Sequence, residues 1–147
     1  MQEEDDVARG KRIEQEATAE IGRLGGISAI KNNFPNAQLI FKGKNSNTFD
    51  LVFKNGDQVL IVEAKAGDEG KVKLGLKEID GNIEEQGTRK YRVWMIENMC
   101  QSTDAEVKEM GCLLKNTSLG NLLYLYAETS LDEEGKLLDV TLRGFTL

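Results

Sequence analysis

Hydrophobic positions recur at helical spacing in the first part of the chain. Over residues 8–24 this spacing predicts an amphipathic helix. Gly25 and Gly26 are expected to end or kink that helix, because glycine weakens a helix interior. Residues 27–34 predict a further short helical piece, and residues 38–42 predict a short strand.

Two runs rich in β-branched and aromatic residues follow, at 49–53 and 59–64. Residues 55–56 between them are Asn-Gly, a strong signal for a two-residue hairpin turn. A turn at that dipeptide would place Val52 opposite Val59. These two runs therefore predict a β-hairpin.

The next segments alternate between loop and helix. Residues 66–81 hold four glycines and several lysines, which favours a loop containing at most one strand. Residues 82–100 and 104–115 predict two helices. The second would open with a capping box formed by Thr103 and Glu106.

The end of the chain reads as a pair of strands. Residues 122–147 predict two long strands joined near 132–135. We therefore expect a single α/β domain over residues 1–147, with a central mixed β-sheet flanked by helices. Residues 1–8 could remain a disordered N-terminal tail.

The predicted hairpin has two faces, because side chains alternate along a strand. One face is wholly apolar and is expected to be core: Phe49, Leu51, Phe53, Leu60, Val62 and Ala64. The other face carries a charged end: Asp50, Val52, Val59, Ile61, Glu63 and Lys65. Glu63 would be the diagonal neighbour of Asp50, roughly 7–8 Å away between backbones. The alternative is a solvated sheet face with a cross-strand ion pair.

This charged end suggests metal chemistry. Two converging carboxylates repel each other unless a proton or a cation lies between them. Their oxygens suit Mg²⁺ or Mn²⁺, and Zn²⁺ also accepts carboxylates. Such an ion can polarise a phosphoryl oxygen and lower the pKa of bound water. Lys65 could orient that water or stabilise the negative charge of the transition state.

Composition narrows the possible chemistry. The chain has no histidine, which excludes Ser–His–Asp triads, Cys–His pairs and histidine-ligated metal sites. The two cysteines match no zinc-ligand spacing and are expected to be ordinary thiols without a disulfide. The chain lacks any apolar stretch long enough to cross a bilayer, so we expect no membrane insertion.

Net charge argues against a nucleic-acid enzyme, but its distribution does not. The formal charge is −6 with a pI near 4.8, whereas phosphate binding relies on lysine and arginine. A set of cations nevertheless lies in the middle of the chain: Lys71, Lys73, Lys77, Arg89 and Lys90. They could grip phosphates beside the site, or they could belong to a hydrophilic loop.

The motifs, in order, resemble a known superfamily. Asp50 followed by Glu63 and Lys65 is similar to the PD-(D/E)XK restriction-endonuclease-like nucleases, with Phe49 where the motif name has proline. Upstream, residues 10–14 resemble the helix whose glutamate donates another metal-site carboxylate. Downstream, residues 86–91 (Gln-Gly-Thr-Arg-Lys-Tyr) resemble the helix that follows the hairpin.

The resemblance implies a fold, a set of site residues and a cofactor. The fold would be restriction-endonuclease-like, around a divalent metal ion. Glu14, Asp50 and Glu63 would hold the metal, Lys65 would complete the catalytic set, and two residues of the downstream stretch, Gln86 and Thr88, would support the substrate.

The downstream stretch, with Leu74 and Gly75 before it, is particularly similar to toxin domains of bacterial contact-dependent growth inhibition and polymorphic toxin systems. Such a domain is secreted as part of a larger effector, acts in the target-cell cytoplasm on DNA or tRNA, and is neutralised by an immunity protein. Two alternatives stay open: an intracellular repair or restriction nuclease of the same fold, and a non-catalytic binding module.

Overall fold

The computed structural model describes residues 6–68 and 72–147, and the side chains described begin at residue 17. Within these residues, three α-helices and seven strands follow in chain order: α1 (Asp6–Asn33), β1 (Gln38–Lys42), β2 (Leu51–Asn55), β3 (Gln58–Asp68), β4 (Leu76–Ile79), β5 (Asn82–Glu85), α2 (Arg89–Cys100), α3 (Ala105–Asn116), β6 (Leu122–Leu131) and β7 (Leu137–Gly144). A short 3-10 turn, Leu119–Asn121, precedes β6.

Five strands form one mixed sheet in the order β1-β2-β3-β6-β7. Strands β3 and β6 run parallel, from the pair Val59 and Leu122 to the pair Asp68 and Leu131. All other neighbours in this sheet are antiparallel. Strands β4 and β5 form a separate two-stranded hairpin. The predicted α/β class with a mixed sheet is therefore confirmed.

Both faces of the sheet are covered. On the α1 side, buried residues come from the helix and from alternate strand positions: Ile30, Leu51, Phe53, Leu60, Val62 and Ala127. On the other side, the core joins α2 and α3 to the intervening strand positions: Val52, Ile61, Tyr124, Met95, Met99 and Leu114. The hairpin thus has a helix layer against each of its faces, which explains why both faces carry apolar residues.

Helix α1 differs from its prediction, because it continues through Gly25 and Gly26 without a break. A Cβ at Gly25 would lie 2.0 Å from Oγ1 of Thr129, and one at Gly26 would lie 3.1 Å from Leu51. The two glycines therefore let the helix approach the sheet closely. They are a packing device here, and their interpretation as a helix end was wrong.

The core hairpin keeps its predicted faces but not its register. Its two-residue turn is Gly56–Asp57, where Gly56 has φ +62°. Glycine at the first central position suits a type II′ turn, whereas the prediction assumed Asn-Gly. Val52 therefore pairs with Ile61 instead of Val59. A slip of two residues leaves the side chains of the paired residues, 51–55 and 58–62, on their predicted faces.

Phe49 departs from its predicted place. It lies before the start of β2 and packs against the α2 and α3 side of the sheet, with its ring edge-on to Tyr124 at 5.7 Å. Its neighbour Asp50 also precedes the strand. The chain therefore changes course at this point, and the alternation that assigned Phe49 to the α1 face does not apply.

The segment predicted as a loop followed by a helix contains a hairpin. Strands β4 and β5 are joined by Asp80 and Gly81, both with positive φ, as a type I′ turn requires. Helix α2 starts seven residues later than predicted, at Arg89, after Thr88 as N-cap. Ile83 consequently lies exposed on β5 instead of on a helical stripe.

Other predicted elements hold. The strand at 38–42 and the final pair of strands are confirmed. Helix α3 forms where expected, but its N-cap is Asp104, whose carboxylate accepts from the backbone N–H groups of Glu106 and Val107, so the predicted cap at Thr103 was wrong. None of the described helices is both long and apolar enough to span a membrane.

Candidate active site

The two hairpin carboxylates meet where β2 begins. The last pair of the β2–β3 ladder is Leu51 with Val62, so continuing it by one position sets Asp50 opposite Glu63. Oδ2 of Asp50 accepts a hydrogen bond from the backbone N–H of Ala64 at 2.8 Å. The Asp50 side chain therefore supplies the partner that β2 would otherwise give to β3, and this fixes the carboxylate beside the strand.

Glu63 is almost fully buried, with 1% of its surface exposed. Its Oε2 accepts a hydrogen bond of 2.5 Å from the side-chain amide of Gln86. Its other oxygen, Oε1, is buried and has no hydrogen-bond partner among the described residues. A buried, ionised carboxylate oxygen without a partner is costly, so this position favours a proton or a cation beside Oε1. The alternative of a solvated sheet face does not hold for Glu63.

Burial and proximity alter the protonation of this pair. Removal from water, together with the negative charge of Asp50, raises the pKa of Glu63 to about 8, against a lowering by Lys65. Burial also raises the pKa of Asp50, although its hydrogen bond from Ala64 and the charge of Lys65 oppose this. Without a cation, the two carboxyl groups favour holding a proton near neutral pH.

The β4–β5 hairpin supports this arrangement through Gln86. Oε1 of Gln86 accepts from the backbone N–H of Gly75 at 2.7 Å, and the Gln86 N–H donates to the Gly75 carbonyl at 2.9 Å. Both groups of the Gln86 amide are thereby engaged, one with Gly75 and one with Glu63. This double anchoring orients the Glu63 carboxylate.

Two tyrosines complete the floor behind the carboxylates. Burial raises the pKa of the Tyr91 and Tyr124 hydroxyls, and the charge of Glu63 raises each further. The Tyr124 hydroxyl accepts from the Gly87 N–H at 3.2 Å. Both phenols therefore stay protonated, and these uncharged groups form the inner wall of the site.

A cleft of about 350 Å³ opens over Asp50, Lys65, Gln86 and Tyr91. Four cations from separate elements line it: Arg23 from α1, Lys44 from the loop after β1, Lys65 from β3 and Lys77 from β4. Lys65 forms no ion pair with any carboxylate among the described side chains, and its charge acts on both Asp50 and Glu63. The cations that line this cleft are compatible with phosphate binding, even though the net charge of the whole chain is negative.

The carboxylate pair suits a divalent cation, because Oε1 of Glu63, beside Asp50, has no hydrogen-bond partner among the described residues. Among side chains from residue 17 onward, outside 69–71, no group of three Asp, Glu, Cys or His residues could hold an ion. The predicted third ligand, Glu14, lies in α1, but its side chain falls outside the described part. Two of the three expected ligands are therefore brought together.

The lysines that were predicted to bind phosphate differ in where they lie. Lys77 lines the cleft, where its Nζ donates to the Ser46 carbonyl and to Asn47 at 2.8 Å. Lys73 is exposed and does not line the cleft. Lys71 lies outside the described residues. Of the two described lysines in this set, Lys77 alone lines the cleft that Asp50 also lines.

The residues predicted at the start of α2 lie elsewhere, except Gln86. Thr88 caps the helix, its Oγ1 accepting from the Tyr91 N–H at 3.2 Å. Arg89 and Lys90 are exposed and line a separate cavity of about 520 Å³ beside Trp94. The structure therefore gives Thr88 a helix-capping role and sets Arg89 and Lys90 apart from the cleft.

Sequence reasoning missed Arg23, Lys44 and Tyr124. Arg23 follows Gly22, one of three glycines on the face of α1 that packs on the sheet, and that spacing was a usable signal. Tyr124 reaches Glu63 only through the parallel pairing of β3 with β6, which no local pattern announces. Lys44 depends on the course of an irregular loop.

Comparison of the chain with protein-family models, with curated proteins and with solved structures finds no match in any of the three. A function must therefore be inferred from the geometry of the site and from the chemistry its residues permit.

Proposed function

We propose that the protein is a metal-dependent nuclease that hydrolyses phosphodiester bonds in DNA or tRNA. The observation that carries this proposal is the buried pair of Asp50 and Glu63, on which the charge of Lys65 acts, at the edge of a cleft that Asp50, Lys65 and further cations line. Phosphodiester is the substrate class that fits, because the cleft offers positive charge to an anion and acidic oxygens to a cation.

The residues would divide the work by charge. Asp50 and Glu63, with Glu14, would hold Mg²⁺ or Mn²⁺, and Zn²⁺ is also compatible with these ligands. A bound ion would supply polarisation of a phosphoryl oxygen and a lowered pKa for its water. Lys65 places a positive charge where negative charge develops on the phosphoryl oxygens.

Positioning falls to the neighbours of the carboxylates. Gln86 holds Glu63 in one orientation through its hydrogen bond, and Ala64 holds Asp50 through the backbone N–H. Mutation of the side chains that orient the ligands of a metal typically costs about ten- to a hundredfold in metal affinity or activity. Tyr91 closes the floor and excludes water from the far side of Glu63.

The biological setting is proposed from the resemblance of residues 10–99 to toxin domains. In that setting the domain would leave the producing cell as part of a larger effector, act in the target-cell cytoplasm and be bound at home by an immunity protein. An intracellular repair or restriction nuclease would use the same site. Gene context separates the two, since a toxin domain follows a long secreted protein and precedes a small immunity gene.

A cutting assay tests the proposal. The purified chain is incubated with plasmid and with total tRNA in Mg²⁺, Mn²⁺ or Zn²⁺, beside Asp50→Ala and Lys65→Ala. Asp57→Ala and Lys54→Ala are matched controls, because these exposed residues carry the same charges at the opposite end of the same hairpin. We expect cutting by the wild type and both controls, and a loss of roughly 100-fold or more at the site variants.

Equal cutting by the site variants and the wild type would refute the proposal. A chain that binds no divalent ion in calorimetry and cuts neither substrate would instead support the non-catalytic binding module.

A further inference from the structure

Helix α1 touches the proposed active site at Gly22. A Cβ there would lie 3.2 Å from the backbone of Lys65 and 3.2 Å from the nitrogen of Ala66, tighter than an ordinary contact. The missing side chain therefore allows the helix to lie directly on the strand that carries Glu63 and Lys65. The next residue, Arg23, is brought against the site by this close approach.

Arg23 stands between two clefts. One is the cleft of about 350 Å³ over Gln86 and Tyr91, and the other, of about 400 Å³, lies along α1. Both are lined by Arg23, Asp50 and Lys65. A chain molecule that crosses from one cleft to the other must therefore pass these three side chains.

One edge of the Arg23 guanidinium is hydrogen-bonded, and the other edge has no partner among the described residues. Its Nε and Nη2 donate to Oε2 of Glu20 at 3.0 and 2.7 Å, and Glu20 is held in turn by Lys42 at 3.3 Å. Within the described residues, Nη1 has no such partner. With 26% of its side chain exposed, Arg23 is a preoriented donor that faces the clefts.

Two other cations of the cleft, Lys44 and Lys77, already have partners within the protein. Lys44 forms ion pairs with Asp104 and Glu106 at 3.2 and 3.1 Å. Lys77 is bonded to the loop after β1 and lies 4.6 Å from the centre of the Trp94 ring. These contacts occupy the amines of Lys44 and Lys77, whereas the amine of Lys65 and the Nη1 edge of Arg23 have donors without a partner among the described residues.

We propose that Arg23 is a substrate-binding residue whose Nη1 side donates to a phosphate oxygen of a nucleic-acid strand lying across Asp50 and Lys65. A guanidinium suits this task because its planar donors match the geometry of phosphate oxygens. The proposal rests on the proposed nuclease function for the substrate class. It adds an anchor from α1 that contacts phosphate without holding the metal.

Binding without cutting tests this contact. Fluorescein-labelled single-stranded DNA and labelled tRNA are titrated in chelator, by anisotropy, over a series of salt concentrations. We expect Arg23→Gln to weaken binding about tenfold, the loss of one charged hydrogen bond. The slope of log affinity against log salt should fall by about 1. Arg23→Lys should keep the salt slope and recover part of the affinity.

Lys108→Ala is the matched control, since this exposed lysine of α3 lines none of the clefts described above and its loss changes the net charge equally. Unchanged affinity and slope in Arg23→Gln would overturn the proposal, as would equal effects at Arg23 and Lys108. Circular dichroism checks that the variants fold. If Arg23→Gln does not fold, Arg23→Lys takes its place, and an affinity equal to that of the wild type would then overturn the proposal.

The two proposals fail separately. If Asp50→Ala abolishes metal-dependent cutting while Arg23→Gln binds as the wild type does, the anchor alone is wrong. If Asp50→Ala cuts normally, or nothing is cut, the nuclease site is wrong, and the chelator titration still reports whether Arg23 contacts phosphate.

Discussion

The side-chain amide of Gln86 donates to the buried carboxylate of Glu63, joining two residues 23 positions apart in the chain. The same amide accepts from Gly75, at the entrance to β4. The β4–β5 hairpin is therefore attached to the central sheet through a polar contact at the candidate site, although the sequence predicted a loop followed by a helix there. Disturbing this contact should affect the site before it affects the fold.

Replacing Gln86 by methionine should weaken metal binding. Methionine keeps the length of the side chain but cannot donate to Glu63, which then loses the one hydrogen bond that it receives from a described side chain. Such supporting contacts are typically worth ten- to a hundredfold in metal affinity. Calorimetry with Mn²⁺ measures the change, and Gln101→Met, at an exposed glutamine beside the end of α2, is the control.

Metal affinity that stays within twofold of the wild type in Gln86→Met would show that Glu63 is oriented without the amide. A thermal melt run alongside separates this from a general loss of structure.

The pairing of Asp50 with Glu63 could be predicted in outline, because strand alternation places both on one face in any register that keeps the apolar face buried. The register itself was missed by two residues, since both registers satisfy that pattern and only the turn chemistry at Gly56 separates them. The error placed the carboxylates diagonally, whereas they lie opposite.

Features that depend on packing between distant elements could not be predicted. The parallel pairing of β3 with β6 joins segments some 60 residues apart, as in Val59 with Leu122, and has no local signature. The β4–β5 hairpin did have one, Asp80-Gly81, a favoured type I′ dipeptide that the glycine-rich composition around it obscured.

Substituting alanine for Gly25 should destabilise the protein. The added Cβ would lie 2.0 Å from Oγ1 of the buried Thr129 and 3.3 Å from Val140, so α1 must move off the sheet. Overpacking of this kind costs about 1–3 kcal/mol of the free energy of unfolding. Urea denaturation measures it, and combining the change with Thr129→Ala should recover part of the loss.

The control for Gly25 is Gly120→Ala, where a Cβ meets nothing within 4 Å. It should be neutral within about 0.5 kcal/mol. Equal stability of the two alanine variants would contradict a packing role for Gly25.

The N-cap of α3 can be tested at two neighbouring positions. Asp104→Ala removes the acceptor of the Glu106 and Val107 N–H groups and should cost about 1 kcal/mol. Asp104→Asn should lose less stability than Asp104→Ala, because its side-chain oxygen still accepts from these N–H groups. Lys44 still pairs with Glu106 in this variant. Thr103→Ala should be close to neutral in the same denaturation assay. A larger loss at Thr103 than at Asp104 would restore the capping box that the sequence suggested.

The protonation of Glu63 links stability to pH. Its pKa in the folded protein, about 8, lies above the value of 4.5 expected when the chain is unfolded, because burial and the charge of Asp50 penalise the ionised form. Between these two values the folded state holds a proton that the unfolded chain releases. Raising the pH through this window therefore favours unfolding, while below it the penalty is absent.

In chelator, the free energy of unfolding should fall as pH rises from 4.5 toward 8, by up to about 1.4 kcal/mol per pH unit for one proton. Glu63→Gln cannot ionise and should flatten this dependence, becoming more stable than the wild type at the upper end. Adding Mn²⁺ should restore the stability of the wild type most strongly at that end, because the ion replaces the proton, and should do so less for Glu63→Gln. Urea titrations at a series of pH values measure all three effects, and parallel curves for the two proteins would show that Glu63 does not carry the linkage.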